Sequence, residues 1–134
     1  MSKAPAKNPC GSCPYRCDVP SGVWHPEEYA KLPAYDAETQ QQPAGVFFCH
    51  QADGRVCAGW AGTHDMDHNL AVRLAPLNGT LSPEDVEAVV EYTTSVPLFG
   101  SGAEAAAHGM KLVRDPDDHA RRVISRLEAK LTQS

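Results

Sequence analysis

Three of the chain's five cysteines fall within eight positions, in the stretch CGSCPYRC at residues 10 to 17. Cys10 and Cys13 have the spacing at which a sharp backbone turn aims both sulfurs at one point, and the small Gly11 and Ser12 ease that turn. Such a knuckle supplies two of the four ligands of a closed tetrahedral metal site, which makes Cys49 and Cys57 the expected second pair. Four thiolates suit Zn2+ and, as the alternative, a [4Fe-4S] cluster, because both take soft sulfur ligands. Cys17 is a cofactor ligand only in the iron–sulfur alternative, since zinc needs no fifth sulfur. His50 directly follows Cys49, but neighbouring side chains on a strand face opposite ways, so joint ligation is awkward. A thioredoxin-like dithiol is the wrong context, because that motif sits between a strand and a helix and here it follows a proline-containing arm.

A second group of donors lies in HDMDH, where His64 and His68 are four residues apart and would share one helical face, with Asp65 and Asp67 nearby. They form a candidate second metal site, of the kind that would serve a His-based metallohydrolase. The glutamate of the HExxH pattern is missing, which ranks this reading last. No Walker loop, dinucleotide fingerprint or aromatic RNA-binding motif is found.

The elements that must position these residues follow from pattern. Residues 1 to 9 read as a flexible N-terminal arm. Pro26, followed by Glu27 and Glu28, predicts a short helix to about Leu32, and the aperiodic stretch between Pro33 and Pro43 predicts a loop. Val46, Phe47 and Phe48 favour a strand, and Asp53-Gly54 a tight reversal that returns the chain toward Cys57. Met66, Leu70, Leu74 and Leu77 predict a central helix within 58 to 77, with Gly59 and Gly62 weakening its first turn. Ser82 and Pro83 start another helix with Val86, Val89 and Val90 as its buried stripe. The region around 95 to 109 predicts a loop with a helical turn or two. Asp115 and Pro116 open a terminal amphipathic helix with Val123, Ile124, Leu127 and Leu131 on one side. The expected fold is therefore α+β, a small metal-stabilised domain with a cysteine knuckle, a short strand-turn element and three to four helices. Residues 10–134 form its single domain, with 10–77 carrying the cysteine site and 78–134 a helical part.

Seventeen acidic against twelve basic residues give a net charge of -5, which offers no general attraction to phosphate backbones, so nucleic acid is not the expected direct partner. The first residues lack an apolar leader segment, and no eighteen-residue apolar run occurs, so a cytoplasmic protein without a membrane partner is expected. A reducing compartment and an odd cysteine count favour metal or redox roles over disulfides.

Two likenesses bear on the site. CPYR followed by GVW at 22 to 24 resembles the signature of the WhiB-like iron–sulfur regulators over residues 10 to 24, which implies a [4Fe-4S] cluster, although the spacing to the third cysteine differs and no fourth precedes it. PCGSCPYRCDVPSGVWHPEEYAKLPAYD together with FFCHQADGRVCAGW is similar to a family of small cysteine-containing proteins of actinobacteria and their phages, over residues 9 to about 75. This likeness implies a common site at Cys10, Cys13, Cys49 and Cys57, with Cys17 dispensable, and imports no activity. The expected function is a cytoplasmic metal-binding regulatory or adaptor protein that acts through contact with another protein. An iron–sulfur redox sensor or electron carrier is the alternative. Trp24, Trp60 and the terminal helix are the first candidates for that contact.

Overall fold

The structure is a computed structural model that describes residues 2–49, 51 and 54–132, with side chains to Lys130. Six α-helices occur among these residues: α1 (Pro26–Ala30), α2 (Ala58–Thr63), α3 (Leu70–Leu74), α4 (Pro83–Val90), α5 (Gly102–Met110) and α6 (Asp118–Thr132). Short 3-10 turns at Pro33–Asp36, Thr39–Gln41 and Met66–His68 interrupt the connections. Extended pairing among the described residues is limited to isolated bridges, Lys3 with Arg55, Arg16 with Leu98 and Phe48 with Val56. The molecule is thus mainly helical, a correction to the expected α+β class and to its three to four helices.

The strand-turn element shrinks to the single Phe48–Val56 bridge, flanked by Cys49 N–H to Arg55 O (2.9 Å) and Cys57 N–H to Phe47 O (2.9 Å). Lys3 bridges the returning arm at Arg55, but among the described residues these isolated bridges do not lengthen into a ladder, so the element stays a reversal rather than a sheet. Asp53 of the expected turn and His50 lie outside the described residues. Gly54 holds φ at 77°, in the left-handed region that a glycine adopts without steric cost.

The expected central helix is broken in two. Asp65 accepts the Asp67 N–H and Asn69 accepts the Val72 N–H, so two short polar side chains satisfy backbone donors that a continuous helix would have used itself. α2 therefore ends at Thr63 and α3 starts afresh at Leu70 behind its Asn69 cap.

α4 follows its sequence signals, with Pro83 in its first turn and Ser82 Oγ accepting the Asp85 N–H at 3.1 Å. Val89 is fully buried, while Val86 and Val90 pack half-buried on the core. α5 is longer than the expected turn or two. Ser101 caps it by accepting the Glu104 N–H, and Glu104 reaches back to the Gly100 N–H. Asp36 takes two more of its first donors, Gly102 N–H at 2.7 Å and Ala103 N–H at 2.8 Å. α5 lies against α1 so closely that a side chain at Gly109 would overlap the Tyr29 ring. α6 starts at Asp118, with Asp117 Oδ1 accepting the Ala120 N–H, so the cap falls two residues past the expected Asp115.

Two apolar clusters result. The larger joins Tyr15, Tyr29, Leu32, Val56, Trp60, Val72, Leu81 and Val89. Tyr35 meets Trp60 edge-on with ring centres 5.4 Å apart. The smaller holds Ala120, Val123 and Leu127 of α6 against Val19 and Val23, and Trp24 packs on both clusters. The opening segment, expected as a flexible arm, is bonded to the body through Ser2 N–H to Thr80 O, Lys3 N–H to Gly54 O, Val56 N–H to Lys3 O and Tyr92 O–H to Lys7 O. None of the described helices is long and apolar enough to cross a membrane.

Candidate metal centre

The knuckle forms as a tight turn in which Cys13 N–H donates to Cys10 O at 3.0 Å, and Arg16 N–H continues it to Cys13 O. Ser12 within the turn is buried, its carbonyl accepting the Trp24 indole N–H at 2.7 Å. The second pair arrives from the Phe48–Val56 reversal, which sets Cys49 and Cys57 on its two arms, and Cys57 then stands at the N-cap position of α2.

Across 44 residues the two pairs meet. Cys13 Sγ lies 3.8 Å from Cys57 Sγ, both buried. Cys10 lies near enough to Cys13 and Cys49 for each to influence its thiol. Cys10, Cys49 and Cys57 also line one small cavity of about 120 Å³ with Arg55. The four sulfurs therefore run as a chain of neighbours, Cys49 to Cys10 to Cys13 to Cys57. Among the described residues, no three Cys, His, Asp or Glu side chains are gathered closely enough to hold an ion, so the sulfurs are adjacent without being closed on one point.

All five cysteines are free thiols. The Cys10 thiol is raised above its ordinary range by its hydrogen bond with Cys13, and burial adds to the rise. At Cys13 the Cys10 hydrogen bond lowers the value, but the bond with Cys57 and burial outweigh it and leave the thiol well above the usual range. Both are protonated at neutral pH, so any metal entering must displace their protons. Gly59 makes this packing feasible: a Cβ there would overlap Cys13 Sγ and come within 2.8 Å of the Tyr15 Cβ.

The remaining expected donors fall elsewhere. Cys17 is exposed, its N–H bonded to Pro97 O at 3.1 Å, and it is not among the thiols that influence Cys10 and Cys13. His64 and His68 do not share a helical face, because α2 ends at Thr63 and His68 belongs to the separate 3-10 turn Met66–His68. His64 spans Trp60 O (Nδ1, 3.1 Å) and Asp36 (Nε2, 3.0 Å), while His68 pairs with Asp65 through Nδ1 at 2.6 Å. Each imidazole thus has its own carboxylate, and Asp36 is already engaged in capping α5. Both histidines border one open polar hollow of about 380 Å³.

Several neighbours of the sulfurs have no motif of their own. Ser12 Oγ lies 3.9 Å from Cys10 Sγ and accepts from the Gln51 side-chain amide, and Gln51 in turn accepts from Lys130 of α6. Ser12 sits inside the knuckle and Gln51 two positions after Cys49, which is the one signal the sequence offers for them. Trp60 is wholly buried and belongs to the core, which removes it as a contact candidate.

Residues 5–127 match the model of a family of unknown function, DUF6283. No curated protein and no solved structure matches the chain.

Proposed function

The chain belongs to the DUF6283 family of unknown function, and we propose that Cys10, Cys13, Cys49 and Cys57 bind one zinc ion that acts as the structural centre of a cytoplasmic regulatory or adaptor protein working by contact with another protein. The observation that carries this reading is the 3.8 Å Cys13–Cys57 approach between segments distant in sequence. A tetrahedral site with zinc–sulfur bonds of about 2.3 Å has sulfur–sulfur edges of about 3.8 Å, so this pair already stands at the separation of two ligands of one ion. A [4Fe-4S] cube binds each thiolate to a different iron at its corners and spreads the sulfurs beyond contact. The same contact therefore favours a single ion over the cluster, and the exposed Cys17 adds nothing to the cluster's side. Cys10, Cys49 and Cys57 line one small cavity, and a four-thiolate site would need Cys10 and Cys49 to close toward the Cys13–Cys57 pair.

The test is elemental analysis of protein purified without oxygen, together with its visible spectrum. One zinc per chain and a colourless solution are expected, with zinc lost in Cys13→Ser and Cys57→Ser. A brown protein with iron and acid-labile sulfide would replace this reading with the cluster, and a metal-free protein would end it.

A further inference from the structure

The outer side of α6 carries charge of the opposite sign to the molecule. α6 holds four Lys/Arg and two Asp/Glu, in a chain with twelve and seventeen overall. Arg122, Arg126 and Lys130 recur every four residues and are exposed, forming one row along the helix. The row borders two hollows. The more open one is lined by Asp118, Arg121, Arg122, Ser125 and Arg126, and the narrower, a groove of about 200 Å³, by Arg126, Lys130, Ser12, Gln51, Val123 and Leu127. Arg126 belongs to both, which makes them one track with apolar surface at its knuckle end.

The far wall of this groove is tied to the cysteine centre. Lys130 Nζ donates to Gln51 Oε1 at 2.8 Å, the Gln51 amide donates to Ser12 Oγ, and Ser12 Oγ lies 3.9 Å from Cys10 Sγ. The first two donors point toward the sulfur, and a Cys10 thiolate, which can only accept, would take the Ser12 hydrogen and fix Ser12 and Gln51 against α6. Lys130 has three donors and spends one on Gln51, which leaves two for a ligand.

We propose that this groove docks an acidic, extended segment of another protein, with carboxylates at alternate positions facing Arg122, Arg126 and Lys130. The spacing fits: steps of four along a helix are about 6 Å, and same-side residues of an extended chain repeat at about 6.6 Å. The match therefore holds for a segment only a few residues long. A longer polyanion such as nucleic acid would run past the row onto the acidic remainder of the surface. The site rests on the proposed zinc centre, because the relay sets its far wall.

The experiment uses the full zinc-loaded chain and a fluorescein-labelled peptide of alternating glutamate and leucine, followed by anisotropy. The expected result is saturable binding, absent for the glutamine counterpart of the peptide. Binding should weaken about tenfold in Arg126→Gln, Lys130→Gln, which removes two exposed ion pairs. It should also weaken several-fold in Ser12→Ala, which alters no charge, with zinc content and circular dichroism unchanged in both. No binding, or binding undiminished in the double variant, overturns the proposal. So does a single-stranded oligonucleotide that outcompetes the peptide, or self-association of the chain that the same substitutions abolish. Zinc bound without peptide binding would sink the groove alone, whereas peptide binding by a protein that takes up no zinc would sink the metal centre and the relay's role while leaving the groove.

Discussion

Gly59 shows how little room the sulfur cluster has. Its missing side chain leaves space for Cys13 Sγ on one side and Tyr15 on the other, and Tyr15 is itself fully buried, its phenol pushed up first by that burial. Gly59→Ala must displace one of them. Because the backbone of α2 and the tight knuckle turn both resist movement, the expected cost is about 1–3 kcal/mol in urea unfolding, the usual range for overpacking. The same substitution should also weaken zinc retention against a chelator, which separates it from an overpacked site elsewhere in the core. A Gly59→Ala protein with wild-type unfolding and zinc retention would contradict the geometry of the cluster. Cys17→Ser, in contrast, should change neither measurement, since Cys17 is exposed and outside the sulfur chain.

At the scale of elements, α5 depends on a residue far away in sequence. Asp36, at the end of a 3-10 turn, receives the Gly102 and Ala103 N–H groups and the His64 ring, and so fastens three segments through one carboxylate. A local cap, Ser101, satisfies one further donor. Removing a cap costs about 0.5–2 kcal/mol, so Ser101→Ala should fall at the lower end and Asp36→Ala at the upper end or beyond, because the latter strands two donors and a partly buried imidazole. Thermal unfolding of the two variants checks the order. The reverse order would mean that the distant carboxylate is ornamental to α5.

For the whole molecule, the cysteine centre joins the knuckle to the start of α2, while the larger core continues well beyond it through Leu81 and Val89 of the α4 region. A zinc centre would add several kcal/mol to folding without being the sole source of it, in contrast to a zinc finger that has little else. Chelation should therefore lower the melting temperature by roughly 10 °C or more while leaving most of the helical circular dichroism at 25 °C. Complete unfolding on chelation would show that the apolar core is weaker than its burial implies, and an unchanged melting temperature would count against a structural ion.

Features written in local chemistry are legible in the residues alone. These are the knuckle turn at Cys10 and Cys13, the Pro26 and Ser82-Pro83 helix starts, the amphipathic α6, and the reversal that carries Cys49 and Cys57 on its two arms, because each depends on residues close together along the chain. The capping signal Ser101 to Glu104 was equally local but was masked by the surrounding glycines. What required distant partners was settled by packing. It split the central helix, where Asp65 and Asn69 outcompeted an apolar period that looked continuous, and it gave His64 to Asp36 instead of to His68. It also carried Lys130 to Gln51 and Ser12, beside the sulfurs. Apolar spacing records which face a segment buries, but it does not record which remote polar group will meet a given donor once that face is packed.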